Sequence, residues 1–191
     1  MRNNLLYFLS FLLLFACSNG TELKFNGSDI SEAKLNATFD LTSHLGTATR
    51  LEDFKGKVVA IFFGFTHCPD VCPTTMNALK SVKQALGADK DRLQVIFVSL
   101  DPERDNIELL AKFIPSFDPS FIGLTGSPES LKKVAGQYKI FYQKVGNQEN
   151  YTIDHSSAIY LIDKTGAIRI RHPFGSTEEM IVKDIKKLLS I

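Results

Sequence analysis

Cys68 and Cys72 carry the chemistry most readily read from this chain. They stand in the stretch Thr66-His67-Cys68-Pro69-Asp70-Val71-Cys72-Pro73-Thr74-Thr75. Pro73 has no amide proton and is tolerated in a helix only within the first turn, so a helix is predicted to begin within a turn of Cys72. A thiol there meets free N–H groups and the positive end of the helix dipole, which lowers its pKa. The thiolate attacks disulfides and also binds metals, so one geometry serves two chemistries. Three residues separate the two cysteines, a wider loop than the two-residue spacer of general thiol oxidoreductases. It accommodates both sulfurs on one ion as well as in one disulfide. Thiolates are soft ligands that prefer Cu(I), Zn(II) or iron–sulfur clusters. Two of them leave an open site that needs a third donor.

The elements around the pair follow from hydrophobic patterning. Residues 58–65 (VVAIFFGF) are a continuous apolar run, β-branched and aromatic, predicted to be a central strand buried on both faces. Residues 73–86 have helical spacing, with Met76, Leu79, Val82 and Leu86 on one face and Gly87 as a stop. Residues 93–100 (LQVIFVSL) are a second buried strand. Asp101 is expected to cap a helix with Pro102 at its first position, running through Ile107, Leu110 and Ile114. A short strand is predicted over 121–124, then a helix capped by Ser127-Pro128-Glu129 and reaching about Tyr138. Residues 158–162 and 168–171 pair around Asp163-Lys164-Thr165-Gly166, and a closing helix covers 177–189. Upstream, 37–41 and 47–51 flank His44-Leu45-Gly46 as a hairpin. Strands alternating with amphipathic helices, closed by a tight antiparallel pair, imply an α/β, thioredoxin-like fold. Its mixed central sheet is flanked by helices, with a β-hairpin added at the N-terminal end.

In such a fold the loop before strand 158–162 faces the cysteine loop. Thioredoxins carry a cis-proline there, whereas this chain has Asp154-His155. A nitrogen ligand thus stands where a peptide-docking element would be. Two sulfurs and one imidazole suit trigonal Cu(I), and can hold Cu(II) within a more tetragonal set. A mononuclear copper site at Cys68, Cys72 and His155 is the expectation. A structural or redox-active disulfide between the cysteines is the plainer reading.

Three separated motifs agree in order with one family. Asp53-Phe54-Lys55-Gly56-Lys57 followed by FFGFTHCPDVCPTT, then Ser99-Leu100-Asp101-Pro102-Glu103-Arg104-Asp105, then Asp154-His155-Ser156, resemble the Sco/SenC family. The resemblance spans residues 37–191. It implies a thioredoxin-like domain on a membrane tether and one copper held by Cys68, Cys72 and His155. It also implies a role in assembling the binuclear copper centre of cytochrome c oxidase, with that oxidase's copper-accepting subunit as partner. Outside the cytoplasm the two thiols would tend to oxidise, so a thiol reductant protein is a second implied partner.

Other polar residues receive plainer readings. His67 is taken as a surface or outer-sphere neighbour of the site, and His44 and His172 as surface residues. Asp70 is expected to cap the helix or present a charge to a partner, and Asp154 to orient His155. Two competing functions stay open. One is an extracytoplasmic thiol-disulfide oxidoreductase using Cys68 and Cys72, and the other is a copper or redox sensor. Cys72-Pro73-Thr74 is similar to a peroxiredoxin loop, but Pro69 stands where those enzymes place a threonine, which argues against a peroxidase.

Residues 1–17 (MRNNLLYFLSFLLLFAC) place one charge, Arg2, before an apolar run too short to span a bilayer. Leu14-Phe15-Ala16-Cys17 is similar to a bacterial lipoprotein signal, with lipidation expected at Cys17. Residues 18–34 are polar and read as a flexible tether, and 35–191 as the copper-binding domain. The expected location is the extracytoplasmic, periplasmic face of a bacterial membrane, held by a lipid anchor. The whole chain of 191 residues has 22 Lys+Arg against 21 Asp+Glu, so nothing in its charge favours nucleic acid as a partner. Three cysteines are too few for a disulfide-built scaffold.

Overall fold

The computed structural model describes residues 24–35, 38–147 and 150–191. Along the chain come β1 (Ser28–Asp29), β2 (Asp40–Ser43), β3 (Ala48–Arg50), β4 (Val58–Gly64), α1 (Val71–Ala85) and β5 (Leu93–Ser99). Then follow α2 (Ile107–Phe113), β6 (Ile122–Thr125), α3 (Pro128–Gln137), β7 (Tyr142–Gly146) and β8 (Tyr151–His155). The chain closes with β9 (Ala158–Ile162), β10 (Ile168–Pro173) and α4 (Glu178–Ser190). Eight strands form one mixed sheet in the order β1-β10-β9-β4-β5-β6-β2-β3. β4, β5 and β6 run parallel, and β9 joins β4 antiparallel. This is the thioredoxin-like arrangement expected from the sequence, with the β2–β3 hairpin appended beyond β6.

The alternation of side chains along a strand decides which helix covers which face. Val58, Ala60 and Phe62 of β4 point into a core shared with Met76, Leu79 and Val82 of α1 and Ile181, Ile185 and Leu188 of α4. Val59, Ile61 and Phe63 point the other way, toward Leu131, Val134, Ala135 and Tyr138 at α3. Both faces of β4 and β5 are covered, so every residue of these strands is buried. That is why both read as unbroken apolar runs.

Several sequence expectations are corrected. Asp101 does not cap a helix: the chain turns tightly after β5, with Asp105 N donating to Asp101 O at 2.8 Å. α2 starts instead at Ile107, capped by Asn106 Oδ1, which accepts from Leu109 N at 2.8 Å. The Asp101 carboxylate is buried and already engaged by Arg104 and Tyr151, so no helix end can use it.

Part of the segment expected as a tether, residues 18–34, is instead held against the domain. Residues 18–23, like the signal and Cys17, lie outside the described residues. From Asn26 the chain is fastened to the domain. Asn26 N, Asn26 Nδ2 and Gly27 N all donate to the carboxylate of Asp184 on α4, and β1 pairs with β10.

His172 and His44, read as surface residues, are both buried. His172 lies on β10, with Nε2 3.1 Å from Asp184 Oδ2. His44 Nδ1 accepts from Gly123 N at 3.1 Å, beneath the β2–β3 turn. Their flanking Pro173 and Gly46 suggested exposed turns, but sheet pairing carries both rings inward. Among the described residues no helix is long and apolar enough to cross a membrane.

Candidate metal centre

β4 ends at Gly64, and the chain then makes a short loop before α1. Cys68 N donates to Phe65 O at 3.3 Å, which closes the loop on itself. Its base is anchored by Asp105, a fully buried carboxylate. Asp105 accepts from Thr66 N at 2.9 Å, Thr66 Oγ1 at 2.6 Å and Ser99 Oγ at 2.7 Å. Three donors satisfy a charge that would otherwise be costly to bury. Asp70 takes the N-cap position of α1, but its carboxylate accepts from the Thr74 hydroxyl at 3.2 Å rather than from a backbone amide.

The two thiols differ in access. Both are free, Cys68 partly exposed and Cys72 buried. Cys68 Sγ accepts from Cys72 N at 3.4 Å, one of the amides exposed at the helix start. Cys72 is the second residue of α1, and its sulfur approaches the backbone of Gly64 so closely that a Cβ on Gly64 would stand 2.7 Å from it. The expected lowering of a pKa by the helix dipole does not hold for Cys72. Burial pushes its thiol well up, with the neighbouring Cys68 and Asp105 adding to the rise, and only a contact with the Phe65 backbone opposes it. Removal from water outweighs the partial charge of a helix end.

His155 is the last residue of β8. Its ring sits edge-on to Phe62 and Phe65, with centroids 6.2 and 6.0 Å away. Nδ1 is 3.1 Å from Ser156 O. A carbonyl can only accept, so in the neutral ring Nδ1 carries the proton and Nε2 offers a lone pair. That Nε2 is 3.7 Å from Cys72 Sγ. Burial lowers the pKa of His155, against the opposing effects of the Ser156 carbonyl and Asp154, and keeps the ring in the form that binds metals. Asp154 is exposed and does not orient the ring; the Ser156 carbonyl does.

The structure thus brings His155 directly against Cys72 and ties Cys68 to Cys72 through a backbone amide. Among the described residues no three His, Cys, Asp or Glu side chains are already drawn into a metal-binding cluster. Two sulfurs and one neutral imidazole remain a donor set matched to a soft, low-coordinate ion. His67 is half exposed and bonded through Nδ1 to Thr66 Oγ1 at 3.0 Å, in keeping with a place outside that set.

Sequence reasoning missed Asp105, Thr66 and Ser99 as the anchor of the cysteine loop. It also left β7 and β8 unassigned. Their signal was present, because Tyr151, Ile153 and His155 alternate with polar residues and Gly146-Asn147 is a turn pair.

The SCO1/SenC family model matches residues 27–190. An SCO2-like protein of Rickettsia prowazekii (strain Madrid E) is 39% identical over 136 residues, covering 70% of this chain and 66% of that protein. The mitochondrial SCO2 homologue of Mus musculus is 36% identical over 153 residues, covering 78% of this chain and 60% of the relative. The chain therefore spans somewhat less than two thirds of each of these two relatives. Among solved structures, Bradyrhizobium japonicum ScoI with copper bound superposes with a TM-score of 0.73 at 37% identity, covering 85% of this chain and 98% of the other. The apo Sco1 protein of Thermus thermophilus gives 0.76 at 38% identity, covering 88% and 99%.

Proposed function

The chain belongs to the SCO1/SenC family, and we propose that it is a copper metallochaperone. One copper ion, as Cu(I) with Cu(II) also accommodated, is held by Cys68, Cys72 and His155. It is passed to the binuclear copper site of cytochrome c oxidase. The observation that carries this reading is the 3.7 Å approach of a proton-free imidazole nitrogen to a thiol 83 residues away in sequence. A copper-bound structure of a relative 37% identical supports copper as the cargo. Cys72 is protonated at neutral pH, so uptake displaces its proton. Cys68, partly exposed, is the ligand an acceptor's donors can reach first.

The same pairing of an accessible and a buried thiol favours a second role on the same acceptor. The Cys68 sulfur attacks a disulfide of the acceptor, releasing one acceptor thiol and forming a mixed disulfide. Cys72 then displaces the second acceptor thiol, leaving a Cys68–Cys72 disulfide and a reduced acceptor. A separate dithiol protein returns the pair to its reduced form. Anchoring belongs to the proposal as well: lipidation at Cys17 holds the domain at the periplasmic face of a bacterial membrane, and Cys17→Ser releases it from the membrane fraction.

The deciding experiment is an anaerobic Cu(I) titration of the reduced protein against a chromophoric chelator. One tight equivalent is expected, weakened by at least about a hundredfold in His155→Ala. Binding indifferent to His155, together with rapid turnover of disulfide substrates, would make the protein a dithiol oxidoreductase instead.

A further inference from the structure

β7 and β8 form a two-stranded sheet outside the main one. A lone hairpin is marginal in water, so contacts with the rest of the domain must set its position. That position matters because His155 is the last residue of β8. The base of the hairpin is tied by Ser156 N donating to Phe141 O at 2.9 Å and Phe141 N to Ser156 Oγ at 3.1 Å. Tyr151 lies at the opposite end, paired with Gly146.

That far end is gripped by the turn after β5. The Tyr151 hydroxyl donates to Asp101 Oδ1 at 2.7 Å. The Arg104 guanidinium lies 3.7 Å from the centre of the Tyr151 ring, and Nη1 donates to Tyr151 O at 3.0 Å. Arg104 Nε in turn donates to Asp101 Oδ2 at 2.5 Å. Lys144 on β7 adds an ion pair to Glu103 at 2.6 Å. Asp101 also connects to the other half of the site. Its amide donates to Ser99 Oγ, which donates to Asp105, the anchor of Thr66 in the cysteine loop.

We infer that Asp101, Arg104 and Tyr151 are positioning residues for copper capture, clamping the β7–β8 hairpin so that His155 meets Cys72. The inference rests on the ligand set proposed above. An ion pair with one buried partner adds little stability over apolar packing, and here it fixes the Arg104 fork between Asp101 and Tyr151. The guanidinium is committed through Nε and Nη1, while its buried Nη2 has no hydrogen-bond partner among the described residues. Arg104 also lies 5.8 Å from the ring of Phe65, whose edge-on contact with His155 makes the clamp and the imidazole neighbours through one side chain.

The test measures Cu(I) affinity by chelator competition, and hydrogen exchange at the amides of residues 142–155 in the metal-free protein. Arg104→Met and Tyr151→Phe are each placed in the native chain and in His155→Ala. In the native background each is expected to weaken Cu(I) binding by about tenfold. In the His155→Ala background neither has an effect, because the imidazole being positioned is gone. Hairpin amides exchange faster in both variants while those of β4 and β5 are unchanged. Equal losses in both backgrounds, or unaltered hairpin exchange, overturn the clamp. If Arg104→Met unfolds the domain, Tyr151→Phe, which keeps the ring and loses only the hydroxyl, decides the matter. If His155→Ala alone leaves affinity intact, the ligand set fails, and hairpin exchange judges the clamp separately.

Discussion

Cys72 Sγ stands 3.7 Å from His155 Nε2, and Gly64 stands just behind the sulfur, where a methyl group would be 2.7 Å away. The thiol is therefore wedged between an imidazole and a strand backbone. Gly64 keeps φ in the ordinary range, so its need for glycine is one of space rather than of backbone freedom. Gly64→Ala forces the sulfur or the nearby rings of Phe62 and Phe97 to move. We expect a loss of about 1–3 kcal/mol of stability, read by urea denaturation, together with weaker Cu(I) binding. A variant that binds copper normally would show that the sulfur has room to shift.

Copper affinity should rise with pH. The Cys72 thiol is held protonated by burial, and the ion must displace that proton. Loading the reduced protein near neutral pH is expected to release about one to two protons per ion, measurable with a pH indicator under anaerobic conditions. Proton-neutral uptake is incompatible with thiolate ligation.

Stability of the metal-free protein should fall on mild acidification. Burial holds the pKa values of His44, His155 and His172 below the ordinary 6.5, partly opposed at His155 by the Ser156 carbonyl and Asp154 and at His172 by Asp184. Below 6.5 the unfolded chain binds protons that the folded protein still refuses. Stability is therefore fully present above that value and is lost as pH falls toward the folded-state pKa values. The melting temperature should drop between about pH 7 and about pH 5; a flat profile would contradict the burial of these rings.

Asp184→Ala should loosen the N-terminal segment. Three donors from Asn26 and Gly27 lose their acceptor, and buried His172 loses its neighbour. A destabilisation of about 2–4 kcal/mol is expected, with faster hydrogen exchange at Asn26 and Gly27. No group in this cluster touches Cys68, Cys72 or His155, so Cu(I) affinity at a temperature where the variant is folded should be unchanged. A drop in affinity would mean that the segment reaches the metal centre.

Much of the protein is legible before any coordinates. Residues 58–65 and 93–100 announce buried strands, because a strand covered on both faces has no polar positions to interrupt it. Pro73 marks the first turn of α1 because proline is excluded from the rest. The spacing of Cys68 and Cys72, and a histidine just ahead of β9, are local patterns tied to backbone geometry. The family resemblance rests on those same stretches, and the match over residues 27–190 agrees with it.

What the linear chain leaves open concerns groups whose environment is assembled from distant pieces. Asp101 has the composition of a helix cap, yet Arg104 and Tyr151 claim its carboxylate. His172 sits beside a proline as a surface residue would, yet α4 and the N-terminal segment cover it. The helix dipole at Cys72 can be read from sequence, but the desolvation that overrides it depends on how deeply the thiol is buried. Local bonding and periodicity are properties of neighbours in sequence, and residue order by itself determined them here. Burial, charge partners and the meeting of His155 with Cys72 are properties of neighbours in space, and only packing decided them.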